Sequence, residues 1–336
     1  MLVYSTFVTG LQEPIAKWVA DEGHRVRQVF DGAILYDKRQ DKKALPCFFN
    51  SFTVFSIEKK TGKNPVEQLM RKILQKPSLL AKGRDKGRAG RYGNSFRIVT
   101  SQENNLISVD KRLRNDAESL ISARTGLIPE RRGGGREFWF LSRSEGFALF
   151  MERQAPERRA AEKERKLKKG ELRPQLAYCL NRLAMPSTHD IMVDPFCGYG
   201  AITRARKIHF PCRRIYGLDI DGEKIKALPS DINYKRADIA QLSSIFKAQS
   251  VDVIITDPPW GIYKNDDIVK IYTALAEACN DALKPGGRAV VLSAQKELMR
   301  TQLSEGLWGN VYLKACYDIL VSGQKAAIFV ISASAN

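Results

Sequence analysis

Two short acidic turns, each placed directly after a run of apolar residues, constrain the fold of this 336-residue chain more than any other feature. The first turn, residues 194–200, reads DPFCGYG and separates the apolar run 191–193 from a helical pattern at 201–207. The second turn, residues 257–261, reads DPPWG and follows the run 251–256. A glycine-rich corner between a strand and a helix lets the backbone approach a ligand closely in doubly wound folds. The turns therefore predict an α/β fold with a binding site where its strands end.

Two more aspartates end predicted strands between these turns. Asp219 comes about twenty residues after the glycines, where a doubly wound fold places the carboxylate that binds a ribose diol. Asp238 follows the strand 232–237, in a position to reach an adenine amine. Aspartate at a strand end also commonly caps the next helix, but the order after residues 194–200 favours a ligand role for both. A hydride-transferring Rossmann enzyme would show G-x-G-x-x-G, whereas this chain has only GYG at 198–200.

The order of elements after residue 190 resembles that of the class I S-adenosylmethionine-dependent methyltransferases. The predicted strands lie near 191–196, 214–220, 232–238, 251–257 and 288–294, with a final pair near 308–321 and 325–333. The turn Ser322-Gly323-Gln324 joins this pair as a hairpin. The helical run 267–283 is followed by Lys284-Pro285-Gly286-Gly287, which is typical of a helix C-terminus. The resemblance implies a Rossmann-like sheet and S-adenosyl-L-methionine as the cofactor.

The second turn predicts the class of reaction. An exocyclic nucleobase amine is conjugated with its ring and is a poor nucleophile, so an enzyme must hold its N–H groups in fixed acceptors. The carboxylate of Asp257 and the carbonyl of Pro258 can accept these groups, while Pro258 and Pro259 stiffen the turn. Trp260 offers a face on which a flipped base can stack, and methyl transfer then depends mainly on alignment. Standing alone, the motif would more simply be a rigid surface turn.

Charge is distributed unevenly along the chain, whose net charge is +18. Residues 1–173 contain 36 Lys and Arg against 21 Asp and Glu, whereas residues 174–336 contain 19 against 16. A strongly basic half next to a nearly neutral half indicates contact with a polyanion. The front half is therefore predicted to bind RNA.

The cysteines and histidines argue against metal chemistry. Six cysteines are scattered without C-x-x-C pairs, and the chain has three histidines. This usage predicts no zinc site and no disulfides, as is typical of a reducing cytoplasm. No stretch approaches the length of a membrane span, and the first residues lack a secretory signal. We expect a cytoplasmic, monomeric protein that binds neither metal nor membrane.

The front half is predicted to hold two α+β units and a linker. Residues 1–58 alternate strands near 2–8, 25–29, 33–36 and 48–57 with a helix at 13–22. Residues 59–152 carry helices near 65–74 and 116–125, and strands near 95–100, 106–109, 138–141 and 147–151. The glycine- and arginine-rich stretches 82–94 and 131–136 can fit phosphates without reading bases, although solvated loops share this composition. Residues 153–170 form a charged linker before the sheet within 171–336.

Further segments extend the resemblance over most of the chain. Residues 4–13 (YSTFVTGLQE) and 31–36 (DGAILY) look like the N-terminal ferredoxin-like domain of THUMP-containing RNA methyltransferases. Residues 172–178 (LRPQLAY) are similar to the segment that opens the catalytic domain of that family. The resemblance implies a ferredoxin-like domain at 1–58 and a THUMP-like RNA-binding domain at 59–152. It also implies methylation of guanine N2 in tRNA, whose acceptor end the first domains hold.

The resemblance also assigns residues to the site. The catalytic turn would be Asp257, Pro258, Pro259 and Trp260. The residues implied to bind the cofactor are Pro174, Asp194, Phe196, Gly198, Gly200, Asp219, Ile220, Asp238, Ile239 and Asp257. Two positions depart from the family, with Tyr199 where serine is frequent and Trp260 where tyrosine is commoner. Because tryptophan also occurs in adenine N6 methyltransferases, guanine and adenine both stay open.

Three functions remain open at this point. The first is methylation of guanine N2 in tRNA. The second is methylation of another substrate, such as an rRNA base, adenine N6 in DNA or RNA, or a protein glutamine. The third is an RNA-binding protein whose methyltransferase fold has lost catalysis. The intact set Asp194, Asp219, Asp238 and Asp257 argues against the third function, and the basic front half argues against a protein substrate.

Overall fold

The computed structural model describes residues 1–60, 62–83, 94–131, 135–154, 167–261 and 267–334. The chain divides into two compact units, Met1–Thr6 with Ile15–Arg159 and Phe7–Pro14 with Ala160–Asn336. Residues 84–93 and 132–134 of the predicted glycine- and arginine-rich loops, 82–94 and 131–136, lie outside the described residues. So do residues 155–166 of the predicted linker, 153–170.

A mixed sheet is the framework of the first unit. Its strands are β1 (Leu2–Thr6), β2 (Arg25–Phe30), β3 (Ala33–Asp37), β4 (Asn50–Lys59), β5 (Ser95–Gln102), β6 (Asn105–Leu106), β7 (Ile128–Pro129), β8 (Arg136–Ser142) and β9 (Phe147–Arg153). They are ordered β2-β3-β1-β4-β9-β8-β5-β6, with β7 beside β5. Strand β4 pairs with β9, so the segments predicted as ferredoxin-like and THUMP-like share one sheet. Their division into two domains stays a prediction.

The described residues of this half of the sequence include three α-helices: α1 (Gln12–Asp21), α2 (Pro65–Gln75) and α3 (Lys111–Thr125). The carboxylate of Asp110 accepts a hydrogen bond from the Leu113 backbone N–H at 2.8 Å, which caps α3 at its start. The helix therefore begins before the predicted residue 116. The predicted helix start was wrong because the polar first turn of α3 hides its apolar periodicity. The predicted strand 106–109 was too long, since β6 ends at Leu106.

The core of the first unit lies between its sheet and two of these helices. Leu69 of α2 and Ile121 of α3 belong to the same buried cluster as Phe96, Phe138 and Phe150 of the sheet. Both helices present their apolar stripes to this cluster, as expected for amphipathic helices on one face of a sheet.

The second unit is a seven-stranded sheet in the predicted sequence order, flanked by helices. Its strands are β10 (Ile191–Asp194), β11 (Arg214–Asp219), β12 (Asn233–Arg236), β13 (Val251–Thr256), β14 (Leu283–Ser293), β15 (Val311–Val321) and β16 (Gln324–Ala333). Its helices are α4 (Pro174–Leu183), α5 (Ala201–His209), α6 (Gly222–Lys226), α7 (Leu242–Ile245), α8 (Ile268–Ala282) and α9 (Lys296–Ser304). The spatial order is β12-β11-β10-β13-β14-β16-β15. Strands β10 to β14 are parallel to one another. Strand β16 is antiparallel to both of its neighbours, β14 and β15.

The hairpin predicted between the last two strands is confirmed. Ser322 and Gly323 both have positive φ, at 51° and 85°, as in the two-residue turns that match strand twist. The predicted stop after α8 is partly wrong. The helix does end at Ala282, but residues 284–287 lie inside β14. A register shift between Val251 and Val253 of β13 accommodates them as a bulge.

Burial on both faces explains the apolar runs in the parallel strands. Val193, Ile254 and Val291 of three adjacent strands are fully buried, as expected for a parallel sheet covered by helices. The apolar face of α4 is also buried, including Leu176 and Leu180. The parallel arrangement places the carboxyl ends of β10, β11 and β13 side by side.

A buried ion cluster fixes the opposite, amino-terminal end of β10. Asp190 accepts hydrogen bonds at 2.6 Å from Arg206 of α5 and from Arg288 of β14. Burial works to raise the pKa of Asp190, but hydrogen bonds from the Ser187 backbone, Arg288 and Arg206 outweigh it and hold the pKa below its ordinary value. The carboxylate thus stays ionised and ties the start of β10 to α5 and β14.

Candidate active site

Three aspartates predicted from the sequence meet at the carboxyl ends of adjacent strands. Asp194 ends β10, Asp219 ends β11, and Asp257 follows the last residue of β13. The negative charges of Asp257 and Asp219 each raise the pKa of Asp194, which places the three carboxyl groups within electrostatic reach of one another. A cluster of carboxyl groups favours the binding of a positively charged ligand.

Asp194 is the most deeply buried of the three. Its Oδ1 accepts hydrogen bonds from the Phe196 backbone N–H at 3.2 Å and from the Thr256 hydroxyl at 2.9 Å. Its Oδ2 is buried and has no hydrogen-bond partner. Burial raises the pKa of Asp194 to about 8, and the neighbouring carboxylates add to this effect. At neutral pH the group therefore holds a proton, which a cation placed beside it would displace.

Asp219 holds the first turn in shape. Its Oδ2 accepts from the Gly198 backbone N–H at 2.9 Å, and its Oδ1 accepts from the Asp221 N–H at 2.8 Å. Each carboxylate oxygen has a second acceptor position, so a ribose diol would share these oxygens with the backbone. The ribose role of Asp219 stays a prediction.

The glycines of the first turn differ in what surrounds them. Gly200 has φ of 73°, and a Cβ at this position would lie 2.7 Å from the Tyr234 hydroxyl. Tyr234 of β12 shares a 2.7 Å hydrogen bond with the Thr203 hydroxyl of α5, so the space under Gly200 is filled by protein. A Cβ at Gly198 would meet nothing within 4 Å. The open side of the turn is therefore at Gly198, where a ligand can approach the backbone.

Four other predicted cofactor residues lie in varied surroundings. Ile220 is 61% exposed directly after Asp219, which leaves an apolar face beside that carboxylate. Phe196 is half-buried against the core, and Ile239 is buried within it. Pro174 is exposed at the first turn of α4. Their contacts with a cofactor stay predictions.

Asp238 is exposed and caps a short 3₁₀ helix, Ile239–Gln241. Its Oδ1 accepts from the Ala240 backbone N–H at 2.9 Å, and its own N–H donates to the Gln241 side chain at 3.0 Å. This is the capping role that the sequence left as the alternative. The contact with an adenine amine stays a prediction.

The second turn carries a half-buried carboxylate with one oxygen already engaged. The Trp260 indole N–H donates to Asp257 Oδ1 at 2.8 Å. Burial raises the pKa of Asp257 to about 7, and the indole hydrogen bond opposes this rise. Within the described part of the chain, Oδ2 has no hydrogen-bond partner. Pro258 is buried and Pro259 is half-buried. These prolines restrict the backbone directly after Asp257, whose Oδ2 can accept a further hydrogen bond.

Several residues of the site had no signature in the sequence. The Thr256 hydroxyl donates a hydrogen bond to Asp194. Tyr234 and Thr203 share a hydrogen bond and pack against the first turn at Gly200. Tyr199, predicted only as a departure from the family, lies under two ammonium groups: Lys168 Nζ is 4.6 Å and Lys224 Nζ 5.7 Å from its ring centroid. These cations give the turn a positively charged rim.

Among the described residues, no group of three His, Cys, Asp or Glu side chains lies in an arrangement that could hold a metal ion. No helix in the described part of the chain is long and apolar enough to cross a membrane.

Comparison with known proteins agrees with this geometry. A tRNA (guanine(6)-N2)-methyltransferase of Thermus thermophilus is 30% identical over 149 residues, which cover 41% of this chain and 44% of that protein. The chain spans less than half the length of the first curated relatives that it matches.

Two solved structures share the fold over nearly the whole chain. TrmN from Thermus thermophilus aligns with a TM-score of 0.75 at 20% identity, covering 99% of both chains. SMU.472, a protein in complex with SAH, aligns with a TM-score of 0.65 at 15% identity over 98% of this chain and 97% of that one. The predicted Rossmann-like methyltransferase fold is thereby confirmed. Two segments also match the UPF0020 family, described as an RMKL-like methyltransferase domain. The matched segments, residues 162–203 and 215–317, contain both acidic turns.

Proposed function

We propose that this protein transfers a methyl group from S-adenosyl-L-methionine to the exocyclic N2 of a guanine in tRNA. The observation that carries the proposal is the acceptor turn beside the carboxylate cluster. Asp257 lies at the strand end next to Asp194, with one oxygen held by Trp260 and the other without a partner in the described residues. The relative named for tRNA guanine-N2 methylation supports this substrate class.

The residues present fit S-adenosylmethionine. The cofactor carries an ammonium and a sulfonium, and both charges favour a site with three carboxyl groups. The buried Oδ2 of Asp194 has no hydrogen-bond partner, and the open side of Gly198 leaves space beside the backbone. A bound ligand would supply contacts at both places. Ile220 offers an exposed apolar face for a base beside Asp219. When bound, the cofactor supplies an electrophilic methyl group, and the SAH in the structural relative supports this assignment.

The acceptor turn would orient the target amine. Asp257 Oδ2 accepts one N–H, and the Pro258 carbonyl accepts the other, so that the nitrogen lone pair points away from both. Fixing this direction lowers the barrier through alignment and does not require a strong base. The amine loses one proton as it is methylated. Asp257, whose pKa is raised to about 7 by burial, can take this proton at Oδ2.

The basic half of the chain would bind the RNA. We propose a ferredoxin-like domain at 1–58 and a THUMP-like domain at 59–152, joined by a linker at 153–170 to the methyltransferase domain at 171–336. The support is the excess of 36 Lys and Arg over 21 Asp and Glu in residues 1–173. A monomeric, cytoplasmic protein completes the proposal. Light scattering of the purified chain and cell fractionation test these two points.

The test of the function is methylation of defined RNA. Purified protein is incubated with unmodified tRNA transcripts and S-adenosylmethionine, and the digested nucleosides are identified by mass spectrometry. We expect N2-methylguanosine from the wild-type protein and none above background from Asp257→Ala. Methylated adenosine as the sole product would replace guanine by adenine as the substrate. If cofactor and tRNA both bound but no nucleoside were methylated in tRNA, rRNA or DNA, the enzymatic proposal would be wrong.

A further inference from the structure

We infer that Gln295 is a positioning residue of the acceptor turn, which fixes Trp260 and, through its indole, the carboxylate of Asp257. This inference rests on the proposed function for its catalytic consequence. Its structural part stands on contacts within the second unit alone.

The contact itself is short and specific. The Gln295 side-chain Nε2 donates to the Trp260 carbonyl oxygen at 2.7 Å. Trp260 in turn donates its indole N–H to Asp257 Oδ1 at 2.8 Å. The Gln295 amide therefore holds the end of the turn at Trp260, and the Trp260 indole connects that end to the Asp257 carboxylate.

Gln295 is itself held by buried groups. Its backbone N–H donates to the Ser293 hydroxyl at 2.9 Å. That hydroxyl shares a 2.6 Å hydrogen bond with the Tyr272 phenol. Ser293 of β14 and Tyr272 of α8 are both fully buried. The chain of contacts thus begins on a buried strand and a buried helix residue and ends on Trp260 of the turn.

The turn needs this support at one end only. Pro258 and Pro259 restrict the backbone directly after Asp257. Beyond Trp260 the chain reaches Gly261, which has φ of 73° and gives no comparable stiffness. Gln295 holds Trp260, which lies between the proline pair and this glycine. Without its amide, Trp260 can rotate, and Asp257 Oδ1 loses its fixed donor.

The first arm of the test observes the indole directly. The chain has four tryptophans, so ¹⁵N-tryptophan labelling gives four indole signals, and Trp260→Phe identifies one of them. Gln295→Met keeps the side-chain length but removes the donor. We expect it to shift the Trp260 signal and to accelerate its exchange with solvent, with the other three signals unmoved. Gln324→Met is the matched control, since Gln324 is exposed at the end of the hairpin, and all four signals should stay in place.

The second arm measures methyl transfer in a single turnover. Gln295→Met should lower the rate about tenfold to a hundredfold, as expected for a misplaced reacting group, while the dissociation constants of cofactor and tRNA change less than twofold. Gln324→Met should retain the wild-type rate. A parallel rise in the cofactor dissociation constant would contradict a positioning role.

The two arms separate the inference from the proposed function. An unmoved Trp260 signal in Gln295→Met overturns the inference whatever the activity. A moved signal with a wild-type rate also overturns it. If the wild-type protein methylates no nucleic acid, the proposed function fails, and the indole signal still decides whether Gln295 holds the turn.

Discussion

Replacing Asp194 by asparagine is expected to stabilise the second unit near neutral pH, although it removes a carboxylate of the proposed cofactor site. Burial raises the pKa of Asp194 to about 8, from an ordinary value of 3.8. The folded protein therefore binds this proton more tightly than the unfolded chain does. The contribution of Asp194 to stability is then most favourable below about pH 4 and declines as the pH rises to about 8.

The size of the effect follows from the pKa difference. Each pH unit between the two values lowers the free energy of unfolding by about 1.4 kcal/mol. At pH 7 the accumulated loss is on the order of 4 kcal/mol. Asparagine is nearly isosteric with the protonated acid, and its carbonyl oxygen can still accept from Phe196 and Thr256. The acid presents one O–H and the amide two N–H groups at the same partnerless position. The amide therefore bears one additional unpaired donor, which reduces the gain by about 1 to 3 kcal/mol.

Urea unfolding at pH 5, 6, 7, 8 and 9 measures this difference. We expect the gain in Asp194→Asn to increase by about 1.4 kcal/mol per pH unit up to about pH 8 and to level off above it. Asp190→Asn, at the residue directly before the same strand, is the matched control. Because ion pairing holds the pKa of Asp190 below its ordinary value, this variant should lose stability at neutral pH. A pH-independent difference, or a destabilised Asp194→Asn at pH 8, would refute the reasoning about the buried carboxyl.

Three further outcomes are expected. The single-turnover rate should fall as the pH drops below about 7, because the acceptor Asp257 has its pKa raised to about 7. Asp257→Asn should keep part of the rate without this pH dependence, and an unchanged acid limb would contradict the assignment. Asp219→Ala should weaken cofactor binding by about 1.5 to 3 kcal/mol in calorimetry, whereas full affinity would exclude the ribose contact. The tRNA affinity should fall steeply with salt, since counterion release scales with the phosphates contacted, and a flat titration would contradict RNA binding by the basic half.

Much of the second unit followed from the sequence because its signals are local. Apolar runs that end in aspartate predict parallel strands, and the carboxyl ends of such strands must meet at one edge of the sheet. Asp194, Asp219 and Asp257 could therefore be placed together without a structure. The hairpin at Ser322 and Gly323 was predictable for the same reason, since two residues decide its geometry.

Other features depend on contacts that no local pattern records. The raised pKa of Asp194 depends on its complete burial. The hydrogen bond from the Trp260 indole to Asp257 was not visible in the sequence either, and the stacking role of Trp260 stays a prediction. Gln295 lies far along the chain from the turn it contacts. In the front half, the cap at Asp110 set the start of α3, where the apolar spacing alone predicted a later one.

One aspartate directly precedes strand β10 and another ends it, and the difference between their surroundings has a consequence for selection experiments. Asp190 is neutralised by arginines within the protein, while Asp194 keeps a buried oxygen with no partner. A library screened only for heat resistance would preserve Asp190 and replace Asp194, because the buried carboxyl of Asp194 destabilises the protein when no ligand is bound. Screening in the presence of the cofactor would reverse the second outcome. The aspartate before β10 thus stabilises the fold, whereas the aspartate that ends it is the one that we propose contacts the cofactor.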